Sequence, residues 1–168
     1  MNIFCNFNNL SYTIVISSQI FSRRFFLMEN CIFCKIINKE IPSYKIYEDE
    51  DVYAFLDIGQ ATPGHTLLIP KTHVPDIFSY DHLLAEKLFS RLPKIARALE
   101  AAFPEMEGLN IVNNNKELAY QTVFHSHIHL IPRYTKEDDF SMHFGNHMGQ
   151  QTPEELIEIA EKIAKQVK

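Results

Sequence analysis

In the first half of the chain, short apolar runs alternate with turn-forming residues, and this pattern predicts strands. Residues 45–47 and 52–56 flank the acidic turn 48–51, a spacing that suits an antiparallel hairpin. A third run, residues 65–69, follows a Pro-Gly pair and stops at a proline, which predicts a third strand. Two further strands, joined by a polar loop, are predicted over residues 109–113 and 123–131.

Two helices are predicted from apolar residues that recur at steps of three and four. The first runs from about Asp81, its N-cap, to Phe103. Pro93 lies inside it and is expected to kink the helix or shift its start, because proline removes one backbone hydrogen bond. The second begins at residues 152–155, which combine an N-cap threonine, a proline at the first helical position and a capping-box glutamate. Its apolar face consists of Leu156, Ile159, Ile163 and Val167.

Strands that mostly neighbour each other in sequence, together with two helices, indicate an α+β fold around an antiparallel sheet. A chain of 168 residues with 46% hydrophobic residues can bury one proper core. A net charge of −5 argues against a nucleic-acid partner held by phosphate neutralisation, although a small anionic ligand needs only a local site. The three cysteines are too few for a secreted disulfide scaffold, which favours a reducing compartment and predicts a cytoplasmic protein.

The first 27 residues differ from the rest of the chain because they contain no Asp or Glu. We predict that Met28 is the true start and that residues 28–168 form a single domain. A transit peptide that directs the protein to an organelle is the alternative, since Arg23 and Arg24 occur among Ser and Thr without any acid. A membrane span is not expected, because the apolar run 14–16 is broken well short of the ~18 residues required.

Three histidines, His125, His127 and His129, occupy alternate positions in the last predicted strand. A strand places every second side chain on the same face, so the three imidazoles are expected to form one row. Taken alone, such a row also fits a His-rich metal tract or an accidental cluster on an exposed sheet face. The rest of the chain decides between these interpretations.

This segment resembles the signature of the histidine-triad (HIT) family, His-φ-His-φ-His-φ-φ with φ apolar. Other segments resemble the family in its usual order: residues 31–37, 40–43, 54–58, 64–73 and 121–124. The resemblance covers residues 30–134 and is strongest to the Hint-like branch of histidine-triad nucleotide-binding proteins. It implies a HIT-like fold with an antiparallel sheet of about five strands, a long central helix and a C-terminal helix.

The resemblance implies a hydrolase that acts at the α-phosphate of nucleoside 5′-phosphoramidates or dinucleoside polyphosphates, with purine nucleotides as ligands. The central His127 would be the nucleophile and form a covalent nucleotidyl-histidine, a role that a neutral imidazole can perform near pH 7. His129 would hydrogen-bond the phosphate or the leaving group, and His65 would line the same site. The family pattern also implies a homodimer. Two other classes stay open: a nucleotide-binding regulator with little turnover, and a metal-storage or metal-sensing protein.

A nucleotide pocket is also implied by the resemblance. Asp57 matches an acidic residue that accepts hydrogen bonds from ribose hydroxyls, although a solvated loop carboxylate is the alternative. The base pocket would be apolar, and ordinary core packing is the alternative for each member taken alone. Its implied members are Ile32, Phe33, Phe55 and Ile58. The implied polar contacts to phosphate and leaving group are Asn113, Gln121 and Thr122.

Cys31 and Cys34 form a C-x-x-C pair without a second cysteine pair. The resemblance implies that His73 and His125 complete a metal site with these two cysteines. Two thiolates and two imidazoles are a suitable tetrahedral ligand set for Zn²⁺. A redox pair and reduced thiols packed in the core are the alternatives. We predict structural zinc, because both implied partners are present.

Two residues depart from the family pattern. Ser126 replaces an apolar residue between the first two histidines, and we expect it to affect packing more than catalysis. Tyr120 stands where relatives commonly have glycine, and a tyrosine adopts a positive φ only at a cost. We therefore expect the phosphate loop to be altered or partly covered.

Because no matching segment precedes residue 28, a chain that starts at Met28 is expected to fold and to hydrolyse nucleotide as well as the full chain. Thermal unfolding and turnover of the two chains, measured side by side, check this prediction. Loss of folding or activity on truncation would show that residues 1–27 belong to the working protein.

Overall fold

A five-stranded antiparallel sheet forms the centre of the computed structural model, which describes residues 30–167. The strand order is β1-β2-β3-β5-β4. The strands are β1 (Lys45–Glu48), β2 (Val52–Leu56), β3 (Thr66–Pro70), β4 (Gly108–Val112) and β5 (Ile128–Arg133). Every neighbouring pair is antiparallel, which confirms the predicted α+β class.

The predicted hairpin of β1 and β2 is confirmed, and its acidic turn is tied to a helix. The Asp49 carboxylate accepts hydrogen bonds from the backbone N–H of Asp51 and Val52, each at 2.9 Å, and so closes the turn. Lys87 donates to Asp51 at 2.6 Å, and the Arg91 Nε donates to Asp49 at 3.0 Å. The turn is therefore held both by its own backbone and by the side chains of Lys87 and Arg91.

Four α-helices lie in the described part of the chain: α1 (Ile32–Ile37), α2 (His82–Phe89), α3 (Leu92–Ala102) and α4 (Pro153–Ala164). Asp81 caps α2 as predicted, since its side chain accepts from the Leu84 N–H at 2.7 Å. The predicted long helix is interrupted between α2 and α3. Pro93 lies in the first turn of α3, where a missing N–H breaks no helical hydrogen bond.

Helices cover both faces of the sheet, so β2 and β3 are apolar on both sides. Alternate residues divide between two buried clusters. On one face, side chains of α2 and α3 pack against side chains of the sheet. This cluster contains Val52, Ala54, Leu68, Leu88, Ile95, Leu99, Ile128 and Leu130. On the other face, which we call the α1 face, the cluster contains Cys31, Phe33, Cys34, Ile36, Tyr53, Phe55, Leu67 and Ile69.

The last strand begins later than the sequence predicts. Residues 123–127 precede β5, which starts at Ile128 and extends to Arg133. Of the three alternating histidines, only His129 therefore belongs to a strand. The Ser126 N–H donates to the Val74 carbonyl at 2.7 Å, so the preceding segment is held by a loop instead of a neighbouring strand.

The capping box of α4 is confirmed: Thr152 Oγ1 accepts from the Glu155 N–H at 3.2 Å, and the Glu155 carboxylate accepts from the Thr152 N–H at 2.7 Å. The apolar face of α4 is exposed to solvent within the single chain. No helix among residues 30–167 has the length and apolar character needed to cross a membrane. The predictions for residues 1–27 and Met28 lie outside the described residues.

Candidate active site

The predicted catalytic histidines form one cluster on the α1 face. His65 immediately precedes β3, and His129 lies in β5 opposite Leu67. The ring centroids of His65 and His129 are 5.2 Å apart, and those of His127 and His129 are 5.0 Å apart. His65, which precedes His129 by 64 positions in the sequence, thus lies in one cluster with His127 and His129.

The backbone at His65 is fixed by a residue that sequence reasoning missed. The Gln60 amide oxygen accepts from the N–H groups of Gly64 and His65, at 2.8 and 3.1 Å, and its NH₂ donates to the His65 carbonyl at 2.7 Å. Gly64 has a φ of 86°, and a Cβ there would lie 2.7 Å from the Phe103 ring. A glycine and a glutamine side chain together aim His65 into the site.

The tautomer of His127 is set by a backbone carbonyl. Its Nδ1 lies 2.8 Å from the His125 carbonyl, an acceptor, so Nδ1 carries the proton and Nε2 carries the lone pair. Burial lowers the pKa of His127, which favours the neutral ring. The Phe33 ring packs against it at 5.2 Å, and Asn113 Nδ2 donates to the His127 carbonyl at 2.8 Å. Both the ring and the backbone of His127 are therefore held.

His65 and His129 form a short hydrogen-bonded chain. The Ala61 N–H donates to His65 Nδ1 at 3.3 Å, and His65 Nε2 lies 2.9 Å from His129 Nδ1. If His65 Nδ1 accepts, Nε2 donates to His129 Nδ1, which leaves the His129 proton on Nε2. Burial, followed by repulsion from His127 and His65, lowers the pKa of His129 to about 4. A neutral His129 with an Nε2–H can donate to a bound anion.

Asp57 follows the end of β2 and reaches the same cluster. Its Oδ1 accepts from the Gly59 N–H at 2.8 Å, and its Oδ2 lies 3.8 Å from His65 Nε2. Burial lowers the pKa of His65, so this contact is not a strong ion pair near neutral pH. One carboxylate oxygen thus remains open to another donor, which agrees with the predicted ribose contact without testing it.

The four residues predicted for the base pocket divide into two kinds. Phe33 and Phe55 are buried and pack edge to face with ring centroids 5.7 Å apart. Ile32 and Ile58 are exposed, at 46% and 89%. The two phenylalanines are therefore part of the hydrophobic core, whereas the two isoleucines expose apolar surface to solvent. Their contact with a base stays a prediction.

The side chain of Gln121 forms its hydrogen bonds with backbone groups around the loop that precedes the histidines. It is buried, its Oε1 accepts from the Lys116 N–H at 2.7 Å, and its Nε2 donates to the carbonyls of Pro75 and Val123. This amide organises the loop. The predicted phosphate contact of Gln121 stays untested, and its neighbour Thr122 is exposed.

The two departures from the family pattern have different structural consequences. Tyr120 adopts the left-handed conformation, with φ 65° and ψ 22°, which glycine adopts freely and a tyrosine adopts at a cost of about 1–3 kcal/mol. The expected change in the phosphate loop stays a prediction. The fully buried Ser126 Oγ lies 2.7 Å from the Tyr80 hydroxyl, which satisfies it. Sequence reasoning missed Tyr80, although a buried serine requires a partner.

The four predicted metal ligands lie together beside the histidine cluster, where Cys31, Cys34 and His125 are buried and His73 is partly buried. His125 Nδ1 is 3.5 Å from Cys31 Sγ and 3.6 Å from Cys34 Sγ, and His73 Nδ1 is 3.3 Å from Cys34 Sγ. Around a tetrahedral Zn²⁺ with normal bond lengths, sulfur and nitrogen ligands are separated by about 3.5 Å. The three sulfur–nitrogen distances therefore agree with a tetrahedral zinc site.

The orientation of the His125 ring is also set by a backbone carbonyl. Its Nε2 lies 2.8 Å from the Pro70 carbonyl and must donate, which leaves the Nδ1 lone pair facing the two sulfurs. Burial lowers the pKa of His125 to about 4, so the ring is neutral. Burial, followed by the neighbouring Cys31, raises the pKa of Cys34 to about 12. A bound cation would favour the thiolates that this environment otherwise disfavours.

Comparison with known proteins agrees with this geometry. The family model described as the HIT domain matches residues 38–136, which include all three alternating histidines and His65. The chain belongs to the HIT family. Among HIT proteins, "Protein hit" of Bacillus subtilis is 53% identical over 139 residues, which cover 83% of this chain and 95% of that protein. "Adenosine 5'-monophosphoramidase HNT1" of Candida albicans is 44% identical over 110 residues, 62% of this chain and 70% of that one.

Solved HIT structures show the same fold. A member of the HIT family from Bacillus subtilis has a TM-score of 0.80 at 52% identity, covering 83% of this chain and 98% of that one. A Zn-bound histidine triad family protein from Mycobacterium smegmatis has a TM-score of 0.63 at 31% identity, with coverage of 82% and 98%. The prediction of a HIT-like fold is therefore confirmed.

Proposed function

We propose that this HIT protein is a nucleotide hydrolase that acts at the α-phosphate of nucleoside 5′-phosphoramidates through a covalent nucleotidyl-His127. The observation that carries this proposal is the orientation of His127. Its Nδ1–H is held by the His125 carbonyl, so the Nε2 lone pair is free to attack. An imidazole in this state is both neutral and nucleophilic at pH 7.

The reaction proceeds in two displacements. The His127 Nε2 forms a bond to the α-phosphorus, and the bond from phosphorus to the leaving nitrogen breaks. The His129 Nε2–H hydrogen-bonds the leaving nitrogen, which takes up a proton from solvent and departs as a neutral amine. A water molecule then attacks the phosphorus, the bond to His127 breaks, and the attacking water releases one proton to solvent. The products are the nucleoside monophosphate and the amine.

Adenosine 5′-phosphoramidate is the first substrate to try. The name of the Candida albicans relative supports it, and so does the Asp57 carboxylate beside the histidine cluster, which would accept hydrogen bonds from the ribose hydroxyls. Dinucleoside polyphosphates are the second substrate class, since the same attack at an α-phosphorus cleaves them. The alternative is a nucleotide-binding regulator with little turnover.

Rapid quenching in alkaline detergent of the protein mixed with adenosine 5′-phosphoramidate radiolabelled at phosphorus tests the proposal. We expect a phosphorus–nitrogen-linked label on His127 that survives in base, is lost in acid, and forms and decays at rates compatible with turnover. A wild-type protein that binds the nucleotide but neither becomes labelled nor releases product would contradict the hydrolase and favour the regulator.

We also propose that Cys31, Cys34, His73 and His125 hold a structural Zn²⁺. Such an ion would join α1 to the loop after β3 and to the segment before β5. The Zn-bound Mycobacterium smegmatis relative supports this proposal. The paired reduced thiols also suit a reducing compartment, which is why we propose a cytoplasmic location.

A homodimer is proposed from the exposed apolar face of α4. Leu156, Ile159 and Ile163 are 53%, 49% and 61% exposed, and such a face is stabilised by a partner. We expect light scattering to give twice the chain mass of 19.6 kDa. Ile159→Glu should lower this mass to that of a monomer, whereas Leu83→Glu, at an exposed leucine of α2, should not. A dimer that survives Ile159→Glu would contradict a role for this face.

A further inference from the structure

The segment before β5 is supported by the loop that follows β3. Ser126, between His125 and His127, is fully buried, and its N–H and its hydroxyl are both bonded to that loop. The N–H donates to the Val74 carbonyl at 2.7 Å, and the hydroxyl lies 2.7 Å from the hydroxyl of Tyr80, where either oxygen can donate. Strand pairing begins only with β5, so this loop supplies the support that a neighbouring strand gives elsewhere in the sheet.

The peptide unit between His125 and Ser126 connects this loop to His127. Its N–H donates to Val74, and its carbonyl is the acceptor that lies 2.8 Å from His127 Nδ1. A peptide unit is planar, so a rotation that weakens one of these two hydrogen bonds also weakens the other. The Ser126 side chain is attached directly beside this unit, and its hydrogen bond to Tyr80 opposes such a rotation.

The ring of Tyr80 is itself held by packing. Its centroid lies 6.3 Å from that of Phe89, the last residue of α2, and the side chain packs against the buried cluster on the α2 and α3 face. A tyrosine has only two side-chain torsions, so a packed ring also fixes the position of its hydroxyl. The hydrogen bond to Ser126 therefore ties the histidine segment to the core on the opposite face of the sheet.

We propose that Tyr80 is a positioning residue for the reaction: through Ser126 it holds the peptide unit whose carbonyl keeps the His127 proton on Nδ1. This role rests on the proposed function, in which His127 Nε2 attacks the phosphorus. Tyr80 acts on the alignment of Nε2 and contacts no reacting atom. Loss of its hydroxyl is therefore expected to lower kcat and to leave nucleotide affinity unchanged.

Tyr80→Phe in the full-length protein tests this role. We expect kcat for adenosine 5′-phosphoramidate to fall about three- to tenfold, the factor that corresponds to one ordinary hydrogen bond, with an unchanged Kd for adenosine monophosphate. The ¹⁵N chemical shifts of the His127 ring should show a mixture of the two neutral tautomers in place of Nδ1–H alone. The matched control is Tyr47→Phe, which removes another partly buried tyrosine hydroxyl, a donor to Asp49 at 2.9 Å in the hairpin, and should change neither quantity.

A double variant, Tyr80→Phe with Ser126→Ala, separates positioning from stability. In Tyr80→Phe the buried Ser126 hydroxyl loses its partner, which lowers the Tm, and removal of both hydroxyls relieves this penalty. We therefore expect the double variant to recover most of the Tm and to keep the low kcat and the mixed tautomers.

Several outcomes would overturn the positioning role. A kcat that returns together with the Tm, a Tyr80→Phe protein with normal kcat, or equal losses in Tyr47→Phe would leave Tyr80 with a structural role alone. A fall in kcat without a change of tautomer would overturn the route through the His125 carbonyl. If the tautomers shift in Tyr80→Phe but the wild type shows no turnover, the positioning of His127 stands and the proposed hydrolase fails.

Discussion

Replacement of His127 by alanine is expected to lower kcat by at least about three orders of magnitude, because the two-step route through a phosphorus–nitrogen bond disappears. Nucleotide affinity should largely survive. The proposed ribose contact comes from Asp57, and Asn113 holds the backbone of residue 127 through its carbonyl, which alanine retains. Hydrolysis of adenosine 5′-phosphoramidate, together with nucleotide binding by calorimetry, measures both quantities.

The neighbouring histidines serve as internal comparisons. His129→Ala should impair the rate less, because it removes a donor to the leaving group and leaves the nucleophile in place. His125→Ala should act mainly through folding and metal content, since its ring faces Cys31 and Cys34. His143→Ala, at an exposed position, should change none of these properties. Near-normal turnover of His127→Ala would refute the assignment of the nucleophile.

Local sequence patterns were sufficient to predict much of the fold. The hairpin turn, the Asp81 cap and the Thr152 capping box depend on residues within a few positions of each other, so the printed sequence contains both partners of each interaction. The alternating histidines likewise indicated a candidate functional site. Their membership of one site with His65, however, came from resemblance, because no local pattern relates residues 64 positions apart.

Long-range pairing limited the rest of the prediction. The start of β5 depends on where its neighbours end, and His125 and His127 lie before it because the preceding segment bonds to Val74. Tyr80 and Gln60 appear as ordinary polar residues in the sequence, and only the folded chain shows that they hold Ser126 and His65. The apolar face of α4 was predicted, but a single sequence does not show what covers it.

Removal of zinc is expected to have the largest effect on stability. We expect one Zn²⁺ per chain after purification without chelator. An ion at a free concentration 1,000 times its Kd stabilises the native state by about 4 kcal/mol. For a domain of this size, that free energy corresponds to a fall in Tm of about 10 °C when the metal is removed. Metal analysis and thermal unfolding with and without chelator measure the two effects.

Ligand variants then separate zinc binding from the two alternatives for the cysteines. Cys34→Ser should lose the metal and the chelator-sensitive part of the Tm, because Cys34 contacts both His73 and His125. His82→Ala, an exposed histidine of α2, should keep both. A metal-free protein with an unchanged Tm in chelator would favour reduced thiols packed in the core. A disulfide between Cys31 and Cys34 after reducing purification would favour a redox pair, since a thiolate–imidazole zinc site requires both sulfurs reduced.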